Sequence, residues 1–102
     1  MKIKFDPEKA VELNVARPHP SCTHLDQTRT VLPSARGCED CLRIGDSWVH
    51  LRICMTCGHV GCCDSSKNKH ATGHFRDTGH PIIKSLEPED DWAWCYRDEI
   101  ML

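Results

Sequence analysis

The chain has 102 residues, with eight Cys, seven His, a formal charge of −2, 39% hydrophobic residues and 6% aromatics. So short a chain with so few large apolar side chains cannot close a sizeable core unaided, and a single domain stapled by disulfides or metal is the expected solution. The same figures exclude a transmembrane helix, since no run approaches the ~20 apolar residues required; the Cys and Trp content argues against a long disordered chain, and the acidic balance disfavours nucleic acid.

In chain order, residues 2–5 alternate like a short strand. Asp6 followed by Pro7 then predicts a helix start, with Asp6 as N-cap and Ala10, Val11 and Leu13 forming an apolar face. The run Arg17-Pro18-His19-Pro20 ends it. Residues 1–18 therefore read as an N-terminal extension, and 19–102 as the domain proper. Residues 21–36 open with Cys22-Thr23-His24 and continue as loop. Cys38-Glu39-Asp40-Cys41 is a tight turn. Residues 48–53 alternate as a strand, with Trp48, His50 and Arg52 on one face and Val49, Leu51 and Ile53 on the other. Cys54-Met55-Thr56-Cys57-Gly58-His59 is a second turn of the same kind as the first. A helix capped by Asp64, Ser65 or Ser66 carries His70 and His74 at i and i+4 and stops at Gly79. Residues 81–86 form a strand, 87–91 an acidic turn, and 92–96 a last strand with Trp92, Trp94 and Tyr96 on one face. The expected class is α+β.

The charged start of the chain predicts no secretory signal and hence a reducing, cytoplasmic setting in which thiols stay free. Cys interleaved with His at short spacings there reads as ligation of zinc. The two Cys-x-x-Cys knuckles, Cys38/Cys41 and Cys54/Cys57, each need two more ligands. One partition, Cys54, Cys57, His70 and His74, has the spacing of a nucleic-acid-binding Cys2His2 finger. Its interior disagrees: the places for two large apolar residues hold Gly61 and Lys67, and Cys38, Cys41, Cys62 and His80 are stranded. The interleaved partition uses them all. Cys38, Cys41, Cys62 and His70 bind one zinc, with Cys63 as the alternative to Cys62, and Cys54, Cys57, His74 and His80 bind a second. Cys22, His24, Cys95 and Asp98 form a candidate third site tying the two ends together, the carboxylate standing where a knuckle Cys is expected. Three zinc ions are favoured over two. His19, His50 and His59 read as solvated or hydrogen-bonded.

These motifs, Cys22-x-His24, Cys38-x2-Cys41, Trp48, Cys54-x2-Cys57-Gly58, Val60-x-Cys62, His70-x3-His74, Gly79-His80-Pro81 and Trp94-Cys95-Tyr96, together resemble the UBP-type zinc finger, a ubiquitin-binding module of deubiquitinases and of a histone deacetylase. The likeness spans residues 22–98, and the run 62–66 is most similar to stand-alone bacterial versions. It implies a cross-braced, twisted antiparallel sheet with helices and one to three zincs, and the same interleaved ligand sets. It also implies a pocket for a free C-terminal carboxylate, with aromatic walls matched here by Trp48, Trp94 and Tyr96. The family's anchoring Arg, two residues after the Cys at position 62, is replaced by Asp64, which reverses the sign of that contact.

The resulting expectation is a zinc-binding protein-interaction module whose groove, Trp48, Asp64, Trp94 and Tyr96, takes a peptide or protein C-terminal segment. Binding of a ubiquitin-like C-terminus and binding of nucleic acid are the alternatives. No enzymatic role is expected, because two sites fill with Cys and His and leave no open position for water. No membrane partner is expected.

Overall fold

The computed structural model describes residues 5, 6, 8–13, 27–87, 90 and 92–101. The elements are α1 (Glu39–Ile44), β1 (Leu51–Cys54), β2 (Val60–Cys62), α2 (His70–Thr78), β3 (Ile82–Ser85), β4 (Ala93–Cys95) and β5 (Ile100–Met101). The five strands form one sheet in the order β2-β1-β3-β4-β5, with antiparallel pairing throughout. The class is α+β, as the sequence predicts.

Alternation decides which face of each strand is buried. Leu51 and Ile53 of β1, Val60 of β2, Ile82 of β3, and Ala93 and Cys95 of β4 join one apolar cluster with Met55, Leu86 and Val31. Cys38, Cys41 and Cys62 belong to the same cluster and are fully buried. The sulfurs thus sit inside the core rather than beside it.

Both helices begin on cysteine sulfur. Cys38 is the N-cap of α1, its sulfur accepting from Cys41 N at 3.5 Å, and Glu39 and Asp40 place negative charge in the first turn. What reads as a tight turn in the sequence is therefore a short helix. At α2 the cap is Lys69 in the left-handed region, with no side-chain cap bond of its own. There the His70 N–H is accepted by Cys62 Sγ at 3.2 Å. The expected caps are occupied elsewhere. Asp64 accepts from Thr72 Oγ1, and Ser66 Oγ accepts from Val49 N. The helix consequently starts at His70 rather than near Ser65, while Gly79, left-handed at φ 76, ends it as expected.

Three further expectations change. The strand predicted over 48–53 starts only at Leu51, and Val49 is exposed. The strands β2 and β5 were not anticipated; they are three and two residues long, too short to show a period. The predicted N-terminal helix is absent from the described residues 8–13. Asp6 does accept from Glu8 N at 2.9 Å, but Val11 pairs with Val31 in an antiparallel bridge, and Phe5, Val11 and Leu13 pack on the core. Val11 and Leu13, two apart, follow an extended period and not a helical one. The predicted strand at 2–5 and the Pro18–Pro20 stop lie, apart from Phe5, outside the described residues.

Candidate metal centres and groove

The β1–β2 hairpin wraps the second knuckle. Cys54 N donates to His59 O at 2.9 Å and Gly58 N to Cys54 O at 2.8 Å, folding Cys54 and Cys57 onto one point. Gly58 takes φ 86, and a Cβ there would run into the Leu32 carbonyl oxygen, so the residue after the knuckle must be glycine. At the other end of the hairpin Gly61 lies under the start of α2. A Cβ at Gly61 would come within 2.6 Å of Ala71 N. This close approach brings His70 onto the sulfur of Cys62, and one turn later His74 onto the second knuckle.

Two donor sets result, each with all four ligand atoms within 4.8 Å of one another: Cys38, Cys41, Cys62 and His70, and Cys54, Cys57, His74 and His80. In the first, His70 Nδ1 lies 3.2, 3.3 and 3.6 Å from the sulfurs of Cys38, Cys41 and Cys62, and Cys41 and Cys62 are 3.9 Å apart. Tetrahedral zinc with ordinary bond lengths requires about 3.6 Å between sulfur and nitrogen and about 3.8 Å between sulfurs. In the second, Cys54 Sγ is 3.5 Å from His80 Nδ1 and Cys57 Sγ is 3.4 Å from His74 Nε2. Donor type and spacing both fit the ion. All seven described cysteines are free thiols.

Burial, followed by neighbouring sulfurs, pushes the Cys38 thiol up to about 12, and burial also raises Cys41 and Cys54. Such thiols stay protonated until a divalent ion stabilises the thiolate. Burial, with His59 and His80 beside it, holds His74 down to about 4, which keeps its imidazole neutral and able to ligate. Asn68, which the sequence did not single out, donates to Cys41 Sγ at 3.7 Å and to Asp46 Oδ2 at 2.9 Å, steadying the first set from the loop before α2.

Cys63, the alternative to Cys62, stays outside both sets; it is buried and shares a hydrogen bond with Ser66 Oγ at 3.4 Å. Of the third candidate site, Cys95 Sγ and Asp98 Oδ2 are 3.5 Å apart, while Cys22 and His24 lie outside the described residues.

A cleft of about 240 Å³ opens on the sheet face opposite the apolar cluster, among Arg52, Asp64, Trp92, Trp94, Tyr96 and Met101. Register explains the grouping. Ile83, Trp94 and Met101 pair directly across β3, β4 and β5, and Arg52 lies two residues before Cys54, the partner of Ile83. Of the four residues expected in a groove, Asp64, Trp94 and Tyr96 line this cleft. Trp48 does not: its ring packs over Gly37, where a Cβ would collide with it, and against the core. Its expected place in the wall is taken by Trp92, with Arg52 stacked 4.5 Å from that ring's centroid. The Asp64 carboxylate accepts from Thr72 Oγ1 at 2.6 Å, and Thr72 in turn is 3.3 Å from the Tyr96 hydroxyl. Lys67 pairs with Asp46 at 3.3 Å.

A small antiparallel sheet whose helices are pinned by two Cys/His sets defines a zinc-finger domain. The family described as "Zn-finger in ubiquitin-hydrolases and other protein" matches residues 38–102, and the chain belongs to that family. It is similar to the NAD-dependent deacetylase sir2A of Dictyostelium discoideum, 42% identical over 58% of this chain and 10% of that protein. It is similar also to ubiquitin carboxyl-terminal hydrolase 14 of Schizosaccharomyces pombe, 32% identical over 65% of this chain and 9% of that protein. The chain thus spans about a tenth of the length of these relatives. Among solved structures, a solution NMR structure of a Rhodopseudomonas palustris protein matches with 64% identity and a TM-score of 0.74, over 79% of each chain. The protein is a zinc-binding module. Among its described residues, no helix is long and apolar enough to cross a membrane.

Proposed function

We propose that this module binds the C-terminal segment of a peptide or protein partner in the aromatic cleft, with its two four-ligand zinc centres serving structure alone. The assigned ligands are Cys38, Cys41, Cys62 and His70 for one ion and Cys54, Cys57, His74 and His80 for the other. Both centres are complete without water, which argues against catalysis. Cys95 and Asp98, with Cys22 and His24, are the proposed ligands of a third ion, which ties together the two ends of a domain over 19–102 that follows a 1–18 extension. A cytoplasmic location accords with unoxidised thiols.

The observation that carries the reading is the cleft's composition: three aromatic walls, Trp92, Trp94 and Tyr96, around one cation, Arg52, and one acid, Asp64. The acid at position 64 speaks against the family's mode of holding a carboxylate. Arg52 offers a replacement cation in the same cleft, and the Thr72 hydroxyl occupies Asp64. A ubiquitin-like terminus is therefore the specific ligand to test, in keeping with the ubiquitin hydrolase among the relatives. Titration of the zinc-loaded protein with a peptide ending in Gly-Gly, as free acid and as C-terminal amide, separates the cases by NMR. Saturable shifts at the Trp92 and Trp94 indoles with the acid alone, lost in Arg52→Ala, support carboxylate recognition. Equal response to both forms assigns the cleft to a partner read through Asp64 and the rings. No response to either removes C-terminal recognition.

A further inference from the structure

The second knuckle and α1 bring together a donor set that neither zinc centre uses. His59 Nε2 lies 3.1 Å from Glu39 Oε2 and 3.0 Å from Asp40 Oδ2, although 19 and more residues separate them in the chain. These separations lie between donors bound to one ion at about 2.0–2.1 Å, for which a right angle gives about 2.9 Å and a tetrahedral angle about 3.4 Å.

The set is built on rigid parts. The His59 ring is stacked on His74, 4.1 Å between centroids and 2° between planes, and its main-chain carbonyl is fixed by Cys54 N. Its ring is 14% exposed, so its direction is set by packing, whereas Glu39 at 46% reaches the position from solvent. Asp40 divides its two oxygens: Oδ1 accepts from Arg43 Nη2 at 3.4 Å and Oδ2 faces His59. The donors are one imidazole and two carboxylates, in contrast to the sulfur-rich sets on either side. Three protein donors leave coordination positions open to water, and carboxylate with imidazole suits zinc and also manganese, which thiolate sites disfavour.

We propose that Glu39, Asp40 and His59 form a solvent-open, exchangeable divalent-cation site between the two closed zinc centres. It is distinct from both the proposed peptide cleft and the Cys95–Asp98 pair. A cation there would tie the first knuckle's helix to the second knuckle by a link that the thiolates do not supply.

The test uses the zinc-loaded protein with Mn2+ as probe, since manganese cannot compete for the sulfur centres and broadens nearby NMR signals. The expected result is saturable broadening centred on Glu39, Asp40 and His59. Loss of one direct ligand in Asp40→Asn should raise the Mn2+ required by at least about tenfold, because even outer-shell changes cost that much. Glu39→Gln, at an exposed position, gives a second reading if Asp40→Asn disturbs α1. Unchanged dispersion of the remaining spectrum and an unchanged count of tightly held zinc by native mass spectrometry show that the closed centres are intact. Broadening centred on the acidic turn at 87–91 or on Asp98 overturns the proposal. So does the absence of saturable broadening, which would leave His59 with its carboxylates as a plain ion pair, or broadening that both variants leave unchanged.

Discussion

The two sulfur-rich centres share a ligand chemistry and differ in their surroundings. Cys38, Cys41 and Cys62 are sealed within the apolar cluster, and the centre they form with His70 is continuous with the core. The other centre exposes Cys57 to solvent, and its sulfur meets His74 near the surface. The first replaces the grease that a chain of this size lacks. The second is a clip that holds one knuckle to the far part of α2 and to His80. Depth within the core, more than ligand type, should set what each ion contributes.

The sharpest way to break this contrast is to remove one sulfur from each centre. A structural zinc contributes apparent binding energy of about 10–16 kcal/mol at pH 7, comparable to the whole stability of a small domain. Cys41→Ser should therefore leave the chain unfolded, seen as collapse of amide dispersion in the NMR spectrum. Cys57→Ser should keep a folded core with one tightly held ion by native mass spectrometry and a lower thermal midpoint. Gradual chelation of the unaltered protein should follow the same order, passing through a species holding one ion. Equal sensitivity of the two variants, or simultaneous loss of both ions, would erase the distinction.

Acid offers a second comparison. His74 is held near 4 by burial and by its histidine neighbours, against about 6.5 in an unfolded chain. The folded state therefore binds fewer protons than the unfolded state between these values. The contribution is fully present above the unfolded value and is lost as pH falls through the folded one. Thermal midpoints measured from pH 7 down to 4 should fall across that window. The signals around Cys57 and His74 should change before those around Cys38 and Cys41. A flat midpoint down to pH 4 would contradict it.

The two Cys/His clusters were legible because zinc demands particular residue types at particular spacings, and few side chains can substitute. Cys62 and Cys63 differ only through the register of β2, where Cys62 lies opposite Leu51 and its sulfur meets His70; two adjacent cysteines carry no such signal in the sequence. The cleft was half legible. Alternation along residues 92–96 puts Trp94 and Tyr96 on one face, and both line the cleft, as that strand keeps its period. The same argument extended from Arg52 back to Trp48 failed because the strand begins at Leu51, so the chain bends and takes Trp48 to Gly37. The helix caps misled for a related reason: Asp64 and Ser66 are engaged by Thr72 and Val49, and the helix begins at His70, where the sulfur of Cys62 accepts the N–H. The Glu39, Asp40 and His59 set is a tertiary product of the knuckle, with no spacing to announce it.

The smallest expected effect concerns the hairpin that joins the two centres. Gly61 and Gly58 sit at its two ends, and both exclude a side chain for different reasons. At Gly61 the obstacle is space alone, since the backbone of Ala71 would lie 2.6 Å from an added Cβ. Overpacking of this kind costs about 1–3 kcal/mol. At Gly58 a positive φ adds roughly 1–2 kcal/mol to a similar clash with Leu32. Gly58→Ala should therefore destabilise more than Gly61→Ala, as measured by chemical denaturation of the zinc-loaded proteins. The damage should also fall in different places. Gly61→Ala lifts the start of α2 from β2 and loosens His70 over the buried centre, whereas Gly58→Ala distorts the knuckle and loosens Cys57. Exchange of added cadmium, followed ion by ion, reads this directly: faster exchange at the buried centre in the first variant and at the exposed centre in the second. The reverse assignment would mean that the hairpin does not transmit strain to the nearer ion, and that burial alone does not rank the two centres.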